Sequence, residues 1–335
     1  MTGFKTYFRS HLKSNSRILI YLLVITLVLT LVVGINSGIS KNWASMLKDY
    51  VTYYYSTIDV PIVFLCLLAY IAPVLEFSFF KKRINLNFAY SMPISRRAMG
   101  VAHFLSGAIT VALPFTLSYI LNFIMILTRG AEHYNLAPLV SHYFLCLILG
   151  LAMYSLMVFA FNEANTTGDG IWFMFLWTFV LFFASMVLGS VTSAWFPFPM
   201  ASLPWGLIAE LTIGFRRLVE LTIYSGTEYF LHTSECTFWV VIWILIGIAS
   251  AIWFTFSFGK RRMEKTEEIS DSFFGYRVLI PYFAVTGIIG LGTFPMWVVF
   301  EILALIGYTI YRRGLRYKLS DILTLLALII LLVTI

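Results

Sequence analysis

A succession of long apolar runs separated by short polar connectors organises this chain. A bilayer core about 30 Å thick needs roughly 20 apolar residues per helix, with about 17–25 tolerated. Runs of that kind fall at Ile18–Ile35, Ile58–Phe80, Val101–Thr128, Leu139–Phe161, Gly170–Val191 and Cys236–Phe258. Two shorter arms, Val278–Gly292 and Phe294–Tyr311, read as a hairpin interrupted by Pro281, Gly287, Gly290, Gly292 and Pro295, either two tilted crossings or a re-entrant loop. A last run covers Leu319–Ile335. The runs lack the apolar/polar alternation of barrel strands, so the pattern predicts an all-α polytopic transmembrane helical bundle. The expected plan is a six-span core over 18–258, a linker over 259–277, and a C-terminal membrane hairpin with one further span over 278–335.

Two segments read as lying on the membrane. In residues 1–17, Phe4, Tyr7, Phe8 and Leu12 recur at helical spacing with Lys5, Arg9 and Lys13 between them, which predicts a basic amphipathic helix on lipid. The segment 192–235 is broken by Pro204, Gly206, Gly214 and Gly226, and its Glu210, Arg216, Arg217, Glu220 and Glu228 make it too polar to span. It is expected to form short helices on or in the outer leaflet.

Composition agrees, with 60% hydrophobic residues, 12% charged and a mean hydropathy of +0.87. No stretch remains from which to build a soluble domain. The net charge of +7 is read by location rather than as a nucleic-acid footprint. Lys5, Arg9, Lys13 and Arg17, then Lys81, Lys82, Arg83, Arg96 and Arg97, share one side with Lys260, Arg261, Arg262, Lys265 and Arg277, and with Arg312, Arg313, Arg316 and Lys318. The other side holds only Lys41, Lys48, Arg129, Arg216 and Arg217. The positive-inside rule then predicts a multi-pass protein of the cytoplasmic membrane with a cytoplasmic N-terminus. The first apolar run has no small-residue cleavage site behind it and reads as a retained anchor.

Candidate chemistry is sparse. No phosphate-binding glycine loop, His-Glu-x-x-His helix or nucleophile elbow is present. Cys66, Cys146 and Cys236 are far apart, and His11, His103, His133, His142 and His232 are scattered without ligand spacing, so no metal site is expected. Glu76 and Glu301 form a candidate intramembrane polar site, since ionisable groups in the apolar core are costly. The plainer reading has Glu76 reaching Lys81 and Arg83 at the interface, Glu301 hydrogen-bonded within the bundle, and Glu163 and Asp169 solvated at a short turn.

The most informative segment is the loop 81–97, in which two basic clusters flank a short amphipathic core with Phe88 and Tyr90, ended by Pro93. Aromatic anchors rimmed by bases suit a helix docked in a partner's groove, or equally a charged interfacial loop. Arg83–Tyr90 followed by Ser91-Met92-Pro93-Ile94-Ser95-Arg96 resembles the Tyr-Ser-Leu-Pro-Ile-Ser-Arg stretch of permease subunits in the type-2 class of ABC exporters, with Met92 where leucine is common. Lys260–Lys265 is similar to the Arg-x-x-Glu-Lys run of Gram-positive permeases of the acetoin-utilisation type, and Thr266-Glu267 stands where those carry glycine. The resemblance implies a second permease as partner and a separate ABC ATPase subunit that binds the ATP. The chain itself is then no enzyme and needs no cofactor or nucleic acid, only membrane lipid around it. It further implies ATPase contact through Arg83, Asn85, Phe88, Tyr90 and Arg96, and a substrate route between spans at the dimer interface, near spans two and five. Two other classes compete: a sensor or antibiotic-immunity protein that does not transport, and a membrane-embedded lipid-modifying enzyme, which would need paired carboxylates for a metal-diphosphate.

Overall fold

The computed structural model describes residues 2–36, 43–128, 137–192, 202–209, 211–212, 231–260, 266–291, 294–315 and 317–334. Within them, the side chains of 2, 36, 43–57, 88–90, 126–127, 137–138, 188–192, 231–236, 290–291, 294–297, 320 and 328–334 lie outside the description. The helices are α1 (Thr2–Asn36), α2 (Trp43–Phe77), α3 (Arg83–Ser91), α4 (Arg96–Thr128), α5 (Ala137–Glu163), α6 (Thr167–Thr192), α7 (Leu231–Gly259), α8 (Tyr276–Leu291), α9 (Phe294–Arg312) and α10 (Leu319–Thr334). Among the described residues there is no strand.

Among the described residues, six helices are long and apolar enough to cross a membrane, over Gly3–Ile35, Ile58–Lys81, Arg96–Met125, Leu139–Glu163, Thr167–Val187 and Thr237–Lys260. They coincide with the six runs expected for the core. The lipid-facing surface is apolar, with Ile20, Leu245 and Phe256 more than half exposed. Pro61 and Pro73 lie inside α2 and Pro114 inside α4. Neighbouring helices and waters can satisfy the backbone groups a proline frees in such a bundle.

One boundary differs from expectation. The N-terminal amphipathic segment is not separate from the first span: α1 runs through residue 17 without a break for 35 residues. At 1.5 Å per residue this is about 52 Å, well beyond the roughly 30 Å core. Tyr7 and His11 on its first turns reach side chains of α4 and α2, so that face is covered by protein instead of lipid headgroups.

Helix α5 is the axis of the bundle, packed by α2, α4, α6 and α7. It is apolar on every face, as a central helix must be. Glycines allow the close approaches. A Cβ on Gly150 would fall 2.5 Å from Leu65 of α2, and one on Gly247 of α7 would fall 2.6 Å from the Ala152 Cα of α5. Small residues at such crossings are the usual way membrane helices gain contact. Gly247→Ala forces α5 and α7 apart, because the obstacle is backbone that cannot rotate away. The expected cost is about 1–3 kcal/mol, read as a lowered unfolding midpoint in detergent. Gly168→Ala, which meets nothing within 4 Å, is the matched substitution and leaves the midpoint unchanged.

The C-terminal pair α8 and α9 is an antiparallel hairpin. The Tyr276 ring lies 5.8 Å from that of Tyr311, Gly307 lies on Ile280, and Gly287 lies on Phe300, so rising positions in one arm meet falling positions in the other. The hairpin packs on α6 through Phe183, whose ring is 5.4 Å from Phe283 and 5.9 Å from Phe300. With 16 residues α8 measures about 24 Å. A turn with Arg313 and Gly314 at positive φ leads on to α10, and Arg312 clamps Asp321 with two hydrogen bonds of 2.6 and 2.8 Å across it.

Candidate functional site

The ends of α2, α5 and α7 and the starts of α1, α4 and α6 meet at one end of the bundle, together with α3. Here the structure assembles a buried polar cluster from three helices. Glu76, on the last turn of α2, is 4% exposed, and His103 on α4 is 5% exposed. Tyr7, His11 and Asn15 lie on α1 at successive intervals of four, which stacks them on one face. His103 and Ser106 share a face of α4 at an interval of three.

All four lone-pair positions of the Glu76 carboxylate are engaged. Oε1 accepts from Ser106 Oγ at 2.8 Å and from Asn15 Nδ2 at 3.0 Å. Oε2 meets His11 Nε2 at 2.7 Å and His103 Nδ1 at 3.2 Å. An ionised carboxylate only accepts, so both of these ring nitrogens carry the hydrogen. That assigns His103 Nε2 to the opposite role when the ring is neutral, accepting from the Tyr7 hydroxyl at 3.0 Å. Asn15 Nδ2 also lies 3.2 Å from His11 Nε2. Two donors face each other there, so Asn15 serves Glu76.

The cluster is walled on its inner side by aromatics. Phe80 meets the His103 ring edge-on at 4.8 Å, Phe77 lies at 6.0 Å, and Phe254 and Phe258 of α7 close behind them. Such a wall excludes water and raises the cost of any uncompensated charge. The two imidazoles lie only 3.9 Å apart, centroid to centroid. Two imidazolium ions at that separation would repel strongly.

Sequence proximity misassigned the partners of Glu76. Lys81 does not reach it: this side chain is buried, and its Nζ donates to the Phe161 carbonyl at 2.6 Å and to the Ala164 carbonyl. It also sits 4.8 Å over the Phe161 ring. Lys81 therefore closes the end of α5, where helix carbonyls lack intrahelical partners. Arg83 turns to the segment after α7. Its Nε donates to the Thr266 carbonyl at 2.9 Å, and its guanidinium lies 3.8 Å from Glu267 and 3.7 Å from Glu268. Glu267 itself holds φ +71°, the left-handed conformation that favours glycine. Glu163 and Asp169 are not merely solvated either. Trp253 and Ser272 donate to Glu163, and the Tyr276 hydroxyl donates to Asp169 at 2.6 Å.

Of the residues expected to face a partner, Arg83, Asn85, Phe88 and Tyr90 share the nine-residue helix α3. The Phe88 and Tyr90 side chains lie outside the described residues. Leu86 is fully buried and pins α3 to the bundle, Asn85 is half-buried, and Ile84 is 84% exposed. Arg96 is exposed as the first residue of α4. Ser95 caps that helix, accepting from the Ala98 N–H at 3.3 Å, which gives the Pro-Ile-Ser-Arg stretch a local purpose. Arg261, Arg262, Met263, Glu264 and Lys265 lie outside the described residues. Glu301 does not join Glu76: it sits on α9, and its Oε2 is buried without a hydrogen-bond partner among the described residues.

A second buried histidine, His142 on α5, lies 3.0 Å from the Tyr119 hydroxyl, 3.3 Å from Thr212 and 3.4 Å from Cys146 Sγ. Near it a cavity of about 580 Å³ opens between α2 and the segment 205–212, lined by Asp59, Cys66, Tyr70, Trp205 and Thr212. Tyr70 spans from α2 to α6, where its hydroxyl meets that of Thr178 at 2.6 Å. No family model, curated protein or solved structure matches the chain.

Proposed function

We propose that this membrane protein is the permease subunit of an ATP-driven ABC exporter, set in the cytoplasmic membrane with its N-terminus inside. A separate ATPase subunit binds and hydrolyses ATP, and a second permease completes the pair. The observation that carries this reading is α3. A nine-residue helix stands between the second and third spans, bearing the stretch that resembles the coupling segment of type-2 exporters. It is tied to the bundle by Leu86 and Arg83, and it presents Ile84 outward. A lever needs both properties: a rigid joint to the spans and a free face for the motor. The tether to 266–268 supports the same reading, since it joins the lever to the exit of the sixth span. The cavity between α2 and 205–212 lies next to spans two and five, where the resemblance places the substrate route.

ATP binding at the partner supplies the difference in affinity that a two-state bundle needs in order to switch. The test is co-purification of the tagged chain with a candidate ABC ATPase subunit. Phe88→Ala combined with Tyr90→Ala is expected to abolish capture and the ATP turnover of the complex, leaving the amount of chain in the membrane unchanged. Undiminished capture and turnover would sink the assignment. Labelling of Asn87→Cys in intact cells must fail with a membrane-impermeant thiol reagent and succeed after lysis.

A further inference from the structure

We infer that His11, Glu76 and His103 form a binding site for one divalent transition-metal ion of the zinc class, clamping α1 to α2 and α4. The inference does not depend on the exporter reading. The three residues offer two imidazole nitrogens and one carboxylate oxygen, all within 4.8 Å of one another. This donor set is one that zinc takes in open sites, with a fourth position left for water. Zinc bonds of about 2.0–2.1 Å at tetrahedral angles separate neighbouring ligand atoms by about 3.3 Å. The present separations from Glu76 Oε2, 2.7 Å to His11 and 3.2 Å to His103, lie close to that value, and the two imidazole nitrogens, within 4.8 Å of each other, draw in around the ion when it binds.

One further observation points the same way. Glu76 and His103 already have the outer partners that metal ligands require. Ser106 and Asn15 hold the other carboxylate oxygen, and Tyr7 faces the other nitrogen of His103. When the ion binds Nδ1 of His103, the ring's hydrogen passes to Nε2, which then donates to the Tyr7 oxygen. His11 offers Nε2 in the same way, with its hydrogen on Nδ1. The side chain of His11 is 15% exposed, against 6% for His103 and 3% for Glu76, which makes the α1 side the way in.

The experiment uses the full chain purified in detergent, stripped with a chelator and titrated with Zn²⁺ by calorimetry and with Co²⁺ by visible absorption. One ion per chain is expected, with the intense d–d bands of low-coordinate Co²⁺, and a rise in unfolding midpoint with Zn²⁺ that Mg²⁺ does not give. His11→Gln and His103→Gln should each weaken binding by at least 100-fold. Tyr7→Phe and Ser106→Ala, which touch only the outer partners, should weaken it about 10-fold. His142→Gln, at the other buried histidine, should bind as the unaltered chain does. Binding below one ion per chain, or loss of the Zn²⁺-specific rise, would overturn the inference. Equal affinity in His11→Gln would overturn it too. Should a ligand variant fail to fold, the stoichiometry and Co²⁺ spectrum of the unaltered chain still decide.

Discussion

Glu76→Leu is expected to lower the stability of the purified chain by about 3–5 kcal/mol, the cost of removing one member of a buried charged network. Leucine is no smaller than glutamate, so the loss does not come from a cavity. It comes from stranding four donors at once: His11 Nε2, His103 Nδ1, Asn15 Nδ2 and Ser106 Oγ. Three helices share those donors, so α1 loses its polar hold on α2 and α4 at the α3 end. Glu76→Gln keeps one accepting oxygen and should cost roughly half as much. Midpoints of thermal unfolding in detergent, compared at one scan rate, give the ordering. Equal midpoints for Glu76→Leu and the unaltered chain would mean that the cluster does not hold the helices together. Limited proteolysis supplies a second reading, since cleavage within residues 5–17 should accelerate in Glu76→Leu and not in Gly168→Ala.

Hydropathy and length made the six core spans legible, because a 30 Å apolar slab tolerates few alternatives to a 20-residue apolar helix. The continuity of α1 was also written in the chain. Residues 4–33 contain neither glycine nor proline, so nothing marks a break at residue 17. Two different functions for the two halves of one helix obscured this. The cluster was only half legible. Tyr7, His11 and Asn15 at intervals of four announce a polar stripe, but the aromatic pattern Phe4, Tyr7, Phe8, Leu12 on the same turns reads as a lipid-facing edge. What sequence cannot supply is the crossing of α1 over α2 and α4, which brings residue 11 to residues 76 and 103. Nearness in sequence instead suggested Lys81 and Arg83, and the end of α2 turns both away. Thr266 and Glu267 show the converse. They depart from the pattern of the permeases the chain resembles, and they are where Arg83 attaches, so the departure is a contact of this chain's own.

Lys81→Met is the second large effect, expected to cost about 2–3 kcal/mol, in the range for losing hydrogen bonds to a charged donor and leaving the acceptors buried. Methionine keeps the length and the apolar stem of lysine, so packing against Phe161 survives while the ammonium is lost. The carbonyls of Phe161 and Ala164 then face the interior without that donor, at a helix end where the dipole is negative. The substitution separates two roles that basic residues of this loop could have. If Lys81 is a structural cap, the isolated chain is destabilised with no partner present. If it served a partner surface, as a basic cluster in a loop suggests, the isolated chain would unfold as before and only binding of the proposed partner would fall. Arg96→Ala provides the contrast, since Arg96 is exposed and its removal should change the midpoint of the isolated chain by less than about 1 kcal/mol equivalent. An unfolding midpoint for Lys81→Met equal to that of Arg96→Ala would refute the cap. A clear drop for Lys81→Met alone places Lys81 inside the bundle as the joint between the end of α2 and the end of α5.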